Sequence, residues 1–74
     1  MEAYKERFII EYKELEERKN KLYEMLKKYE LGTLEFTPSC PISLLRKQYQ
    51  AMCEYLYCLN ARAEIEKINL KGDE

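Results

Sequence analysis

Histidine and tryptophan are absent from this chain, glycine and proline occur twice each, and thirteen basic residues nearly cancel fourteen acidic ones. Without histidine there is no imidazole for acid–base catalysis or metal ligation. A net charge of −1 gives no basic excess for a polymeric nucleic acid to hold, so no such partner is expected. A small anion needs only a few local cations and remains open. No apolar run approaches the roughly 20 residues that span a bilayer, so no membrane partner is expected either. Cys40, Cys53 and Cys58 are odd in number, lack Cys-x-x-Cys spacing and follow no apolar signal segment. A reduced, cytoplasmic chain is the expectation, with the thiols as packing residues rather than metal ligands or redox groups. The sequence also lacks a glycine-rich phosphate loop, an isolated carboxylate pair and a nucleophile with a plausible base. Neither catalysis nor a cofactor is expected.

What is present is a repeated spacing. Phe8, Tyr12, Leu15, Lys19, Leu22, Leu26 and Tyr29 recur at alternating steps of four and three, and Leu45, Tyr49, Met52, Leu56, Leu59 and Ala63 do the same. That alternation is the narrow seam of a helix packed along its length, whereas a strand would repeat every second residue. The two patterns are separated by the stretch holding Gly32, Pro38 and Pro41. The expected fold is all-α: one domain over 1–74, an antiparallel two-helix hairpin with a helix at about 2–30, a connection at about 31–40 and a helix at about 41–69. Gly32 supplies a left-handed C-terminal residue, and Pro41 suits a first turn capped by Ser39 or Cys40. Leu34 and Phe36 are expected to plug the closed end, and Gly72-Asp73-Glu74 to fray.

A hairpin pairs only one stripe of each helix. Ile9, Tyr23, Met25, Ile42, Leu44, Tyr55, Cys58, Ile65, Ile68 and Leu70 fall outside the seams and leave apolar surface for a second interface. Chains of this size often gain stability by association. A homo-oligomeric helical bundle is therefore expected, with any pocket lying between chains.

Seven tyrosines divide between seam and flank. Tyr12, Tyr29 and Tyr49 lie in the seam as core rings; Tyr4, Tyr23, Tyr55 and Tyr57 lie off it, where a ring can stack on another chain or on a nucleobase. Gln48, Tyr55 and Arg62 stand seven apart along one flank, with the small Ala51 and Cys58 between them. Arg62 suits a two-pronged contact to phosphate or carboxylate, or equally an inter-subunit Arg–Glu pair beside a packed tyrosine. Tyr4 and Arg7 add a ring and a cation near the amino end. Tyr4, Arg7, Tyr55 and Arg62 are the candidate ligand-binding residues.

Within Leu44–Arg62, the order Leu44-Leu45, Gln48, Ala51-Met52, Tyr55, Leu56 and Arg62 resembles the second helix of small helical-hairpin proteins of crAss-like and other tailed phages. It is similar to the phage anti-CBASS sponges, and Tyr12-Lys13-Glu14-Leu15 fits their first helix. The resemblance implies a homo-oligomer that sequesters a cyclic di- or trinucleotide messenger, with Arg62 toward a ligand phosphate. The alternative is a helical protein-interaction module that blocks or scaffolds a host protein through its unused apolar flank.

Lys19 is the one charge in the first seam. If its stem packs while the ammonium reaches solvent, Lys19→Leu raises the melting temperature and leaves the assembly unchanged in sedimentation. A changed assembly state would make Lys19 a specifier of association instead.

Overall fold

The computed structural model describes residues 3–71, which form α1 (Ala3–Leu31) and α2 (Ile42–Glu66), packed as an antiparallel hairpin with no strand among those residues. The described residues extend over 45 × 20 × 17 Å. The expected start at Glu2 and the expected fraying of Gly72, Asp73 and Glu74 lie outside the described residues.

No Gly or Pro interrupts α1, and it is rich in Glu, Lys and Leu, whose straight stems lose little rotamer freedom in a helix. Its solvated face carries acid-before-base pairs four apart, Glu14 with Arg18 at 3.9 Å and Glu17 with Lys21 at 3.6 Å. Gly32 ends it at φ 75°, and Thr33 N–H returns to the Lys28 carbonyl at 2.9 Å. Only a residue without a Cβ enters that left-handed turn at no steric cost.

The start of α2 differs from expectation. Pro41 is itself the cap residue, at φ −59° and ψ 142°, and no side chain caps the helix. Its carbonyl accepts from Leu44 N–H at 3.1 Å and Leu45 N–H at 3.2 Å. The pyrrolidine ring holds Pro41 near this φ, but its ψ is extended rather than helical, so Pro41 borders the first turn in place of lying in it and neither Ser39 nor Cys40 serves as the cap.

The end of α2 differs more. The helix stops at Glu66, because Lys67 turns left-handed at φ 62° and ψ 44°, and both Lys67 N–H and Ile68 N–H bond the Ala63 carbonyl. Continuation to Asn69 would carry Ile68 away from the seam. The reversal instead buries it, and Leu70 packs beside it. Burial of a large aliphatic side chain gives about 1.5–3 kcal/mol, which offsets the roughly 1–2 kcal/mol of a left-handed lysine.

The core gathers at the open end of the hairpin. Phe8 and Leu15 from α1, Leu56, Leu59 and Ala63 from α2, and Ile68 from the tail form one buried cluster, with Leu59 at its centre; Leu26 is buried separately toward the connection. Lys19 is half-buried, as a packed stem requires. The closed end is more open than expected. Leu34 is half-buried, but Phe36 is 59% exposed and plugs nothing, and seam residue Tyr29 is exposed as well.

These two departures give opposite expectations for two large apolar residues outside the helices. Ile68→Ala should lower the unfolding free energy by about 2–5 kcal/mol, as for a core aliphatic, whereas Phe36→Ala should change it by no more than about 0.5 kcal/mol. Urea denaturation followed by circular dichroism checks both. A neutral Ile68→Ala would mean that the tail does not return.

Candidate functional site

The heptad spacing assigns each side chain a flank, and the antiparallel pairing makes like flanks meet. Tyr4, Glu11 and Arg18 stand seven apart on α1 and face the row Gln48, Tyr55 and Arg62 on α2. At the open end Tyr4, Arg62 and Glu66 form one cluster. Arg62 Nη2 donates to the Tyr4 hydroxyl at 2.6 Å, Tyr4 donates to Glu66 Oε1 at 2.7 Å, and Arg62 Nε donates to Glu66 Oε2 at 3.3 Å. The guanidinium lies 4.8 Å from the Phe8 ring centroid, so the buried phenyl is also its floor.

The electrostatics follow from these contacts. Hydrogen bonding to Glu66 and then to Tyr4 pushes the Arg62 pKa up from its already high value. The Tyr4 hydroxyl, followed by the Arg62 guanidinium, holds the Glu66 carboxyl below the usual 4.5, against some desolvation. The cluster remains partly open to water, with the Arg62 side chain 49% exposed. Two of its five N–H donors are used, which leaves three for a phosphate or carboxylate.

Two turns along the same flank, Tyr55 donates its hydroxyl to Glu11 Oε2. Arg7, Ile10 and Arg18 line a shallow groove of ≈ 300 Å³ with this tyrosine, and Glu11 and Glu14 share it. Arg7 has no ion pair or hydrogen bond among the described residues. The four residues expected to bind ligand are thus gathered in two pairs: Tyr4 with Arg62 at the open end, and Arg7 with Tyr55 in the groove. Within one chain they do not converge on a single pocket. Both tyrosine hydroxyls are tied to carboxylates while the rings stay partly exposed, an arrangement that holds a stacking face in place before anything binds.

The opposite flank carries a feature that sequence reasoning does not single out. Tyr23 packs on Tyr49 with ring centroids 5.7 Å apart, and Arg46 bonds Glu30 at 3.1 Å in the same groove, beside Lys27. A hydrogen bond with the Cys53 side chain, and then desolvation, raise the Tyr49 pKa. The available signal was that Tyr23 and Glu30 stand seven apart on the flank that meets Arg46 and Cys53.

A family profile described as Sequestin matches residues 2–65, a span that includes Tyr4, Arg7, Tyr55 and Arg62 and stops before the returning tail. The chain belongs to the Sequestin family. No curated protein and no solved structure matches it. Membership agrees with the sequestering role that the resemblance of the second helix implies, while Glu66 and Ile68 of this Sequestin chain lie beyond the matched span. No helix among the described residues is long and apolar enough to cross a membrane.

Glu66 gives the cluster a pH signature. A carboxyl held below its unfolded value stabilises the fold fully above that value; the contribution declines as pH falls below it and is gone beneath the folded value. The melting temperature of wild type should therefore exceed that of Glu66→Gln at neutral pH, and the gap should close as pH falls below about 4.5. A gap that persists into strong acid would assign the effect to packing rather than to the ionised cluster.

Proposed function

We propose that this Sequestin family member is a non-enzymatic, homo-oligomeric sponge that removes a small cyclic nucleotide messenger, a cyclic di- or trinucleotide, by stoichiometric binding along the Tyr4–Arg62 and Arg7–Tyr55 flank. The observation that carries the proposal is the convergence on that flank of two partly exposed rings, a guanidinium with three spare donors and an unpaired Arg7. A nucleotide presents the complementary pair of groups, a flat base for a ring and a phosphate for a guanidinium. The groups around them are pre-set by hydrogen bonds, so little side-chain ordering opposes binding.

Assembly is part of the proposal. Tyr23, Leu31, Leu44, Tyr57 and Ile65 are all exposed on the hairpin, apolar surface that association would cover. A symmetric assembly also offers a nearly symmetric ligand the same residues twice.

Calorimetric titration with cyclic di- and trinucleotides, beside a thermal-shift screen, is the test. A ligand present at a thousand times its dissociation constant adds about 4 kcal/mol of apparent stability. Arg62→Ala should remove a charge-assisted phosphate contact worth about 1.5–3 kcal/mol, weakening binding by roughly one to two decades. Tyr55→Ala should lose about 1–3 kcal/mol of stacking. Arg46→Ala, on the opposite flank, should bind as wild type does. Weakening by Arg46→Ala alone would move the ligand to the Tyr23–Tyr49 groove. If wild type binds no member of the panel, the interaction-module reading takes the place of the sponge.

A further inference from the structure

Beyond its buried seam, α2 carries a second one. Leu44, Gln48, Ala51, Tyr55, Cys58, Arg62 and Ile65 recur at steps of four, three, four, three, four and three, about a third of the way round the helix from the first stripe. All seven are exposed, including Ile65 at 79%, Leu44 at 55% and Tyr55 at 45%. A seam pattern on an exposed helix face is a helix partner's surface. The order of chemistry along it identifies the partner: large aliphatic, long polar, small, tyrosine, small, long polar, large aliphatic. It reads the same in both directions.

We infer that α2 packs antiparallel against α2 of a second copy of this chain, about a two-fold axis at Tyr55, so that the Tyr55–Arg62 flanks of both copies form a shared site. In that register Leu44 meets Ile65 of the second copy, Ala51 meets Cys58, Gln48 meets Arg62, and the two Tyr55 rings adjoin. Each residue i that meets j is repeated as j meeting i, the self-complementarity of an isologous interface, with aliphatic on aliphatic at the ends and small on small beside the axis. The small residues on either side of the axis let the backbones approach closely, while the aliphatic pairs close the two ends. The charges do not collide, since the two Arg62 side chains are separated by about 21 Å of helix axis. The second copy completes the sequestration site proposed above by setting its Gln48 beside Arg62, a polar group that the single hairpin leaves far away on the same helix.

The dimer rests on that proposal only for the use of the site, so its test needs no ligand. In a Cys40→Ser, Cys53→Ser background, Ala51→Cys should form a covalent dimer under mild oxidation, because the new thiol faces Cys58 of the second copy. The parent with Cys58 alone should not, since the two Cys58 positions are offset by about 9 Å along the axis, beyond disulfide reach. Tyr57→Cys, on the outward side of α2, should also stay monomeric on a non-reducing gel. Sedimentation at micromolar concentration should give a dimer for wild type and half that mass for Ala51→Arg, with the helical circular dichroism of Ala51→Arg retained because Ala51 is exposed in the hairpin. A monomeric wild type, a dimeric Ala51→Arg, or crosslinking through Tyr57→Cys but not Ala51→Cys overturns the inference. If the dimer forms as described but no cyclic nucleotide binds, the interface stands and the ligand proposal fails alone.

Discussion

The packing of α1 on α2 along one four-three seam is the constraint from which everything else on this molecule follows. Once Phe8, Leu15, Leu56, Leu59 and Ala63 are buried together, the remaining positions of each helix have no freedom of address. Residues seven apart share a flank, and antiparallel pairing makes the Tyr4–Glu11–Arg18 row meet the Gln48–Tyr55–Arg62 row, and the Tyr23–Glu30 row meet Arg46 and Cys53. The observed cross-helix contacts obey that rule on both flanks: Tyr4 with Arg62 and Glu11 with Tyr55 on one, Glu30 with Arg46 on the other. The polar groups open to a ligand are therefore those of the flanks, since a two-helix hairpin has no interior in which to enclose one.

The polar cluster at the open end is better understood as a positioning device than as a source of stability. Exposed ion pairs contribute little net free energy in water. What Glu66 does is hold the Tyr4 hydroxyl and the Arg62 Nε in fixed relation, above the Phe8 ring, with guanidinium donors to spare. The tail acts on the same end. By turning at Lys67 it buries Ile68 beneath the seam and ends α2 at the residue that supplies the carboxylate. Core and cluster thus share the last turn of one helix.

Much of the fold was legible because helical periodicity is a local signal. The two helices, the break near Gly32 and the seam of Phe8, Leu15, Leu56, Leu59 and Ala63 all follow from spacing within each half. Tyr29 and Phe36 were misplaced for a common reason. The seam needs facing residues throughout, and the closed end, where Ile42 and Leu45 are themselves only half-buried, does not cover these two rings. At the candidate site, Arg62 beside Tyr55 on one flank was legible from their separation of seven. The junction of Tyr4 with Arg62 was not, because no spacing rule relates residues 58 apart in the chain.

By itself, the sequence determined that this protein is two amphipathic helices in an all-α hairpin, which side chains share each flank, and that apolar residues remain beyond one seam. These are consequences of 3.6 residues per turn acting on neighbours. Only the tertiary structure decided which α1 residue meets which α2 residue, that carboxylates hold Tyr4 and Tyr55, and that Ile68 belongs to the core. Those outcomes depend on the axial register of two antiparallel helices and on a left-handed turn at Lys67, a residue with no intrinsic preference for it. The free energy that selects them comes from burial across the seam, between residues that are close only after the chain has folded.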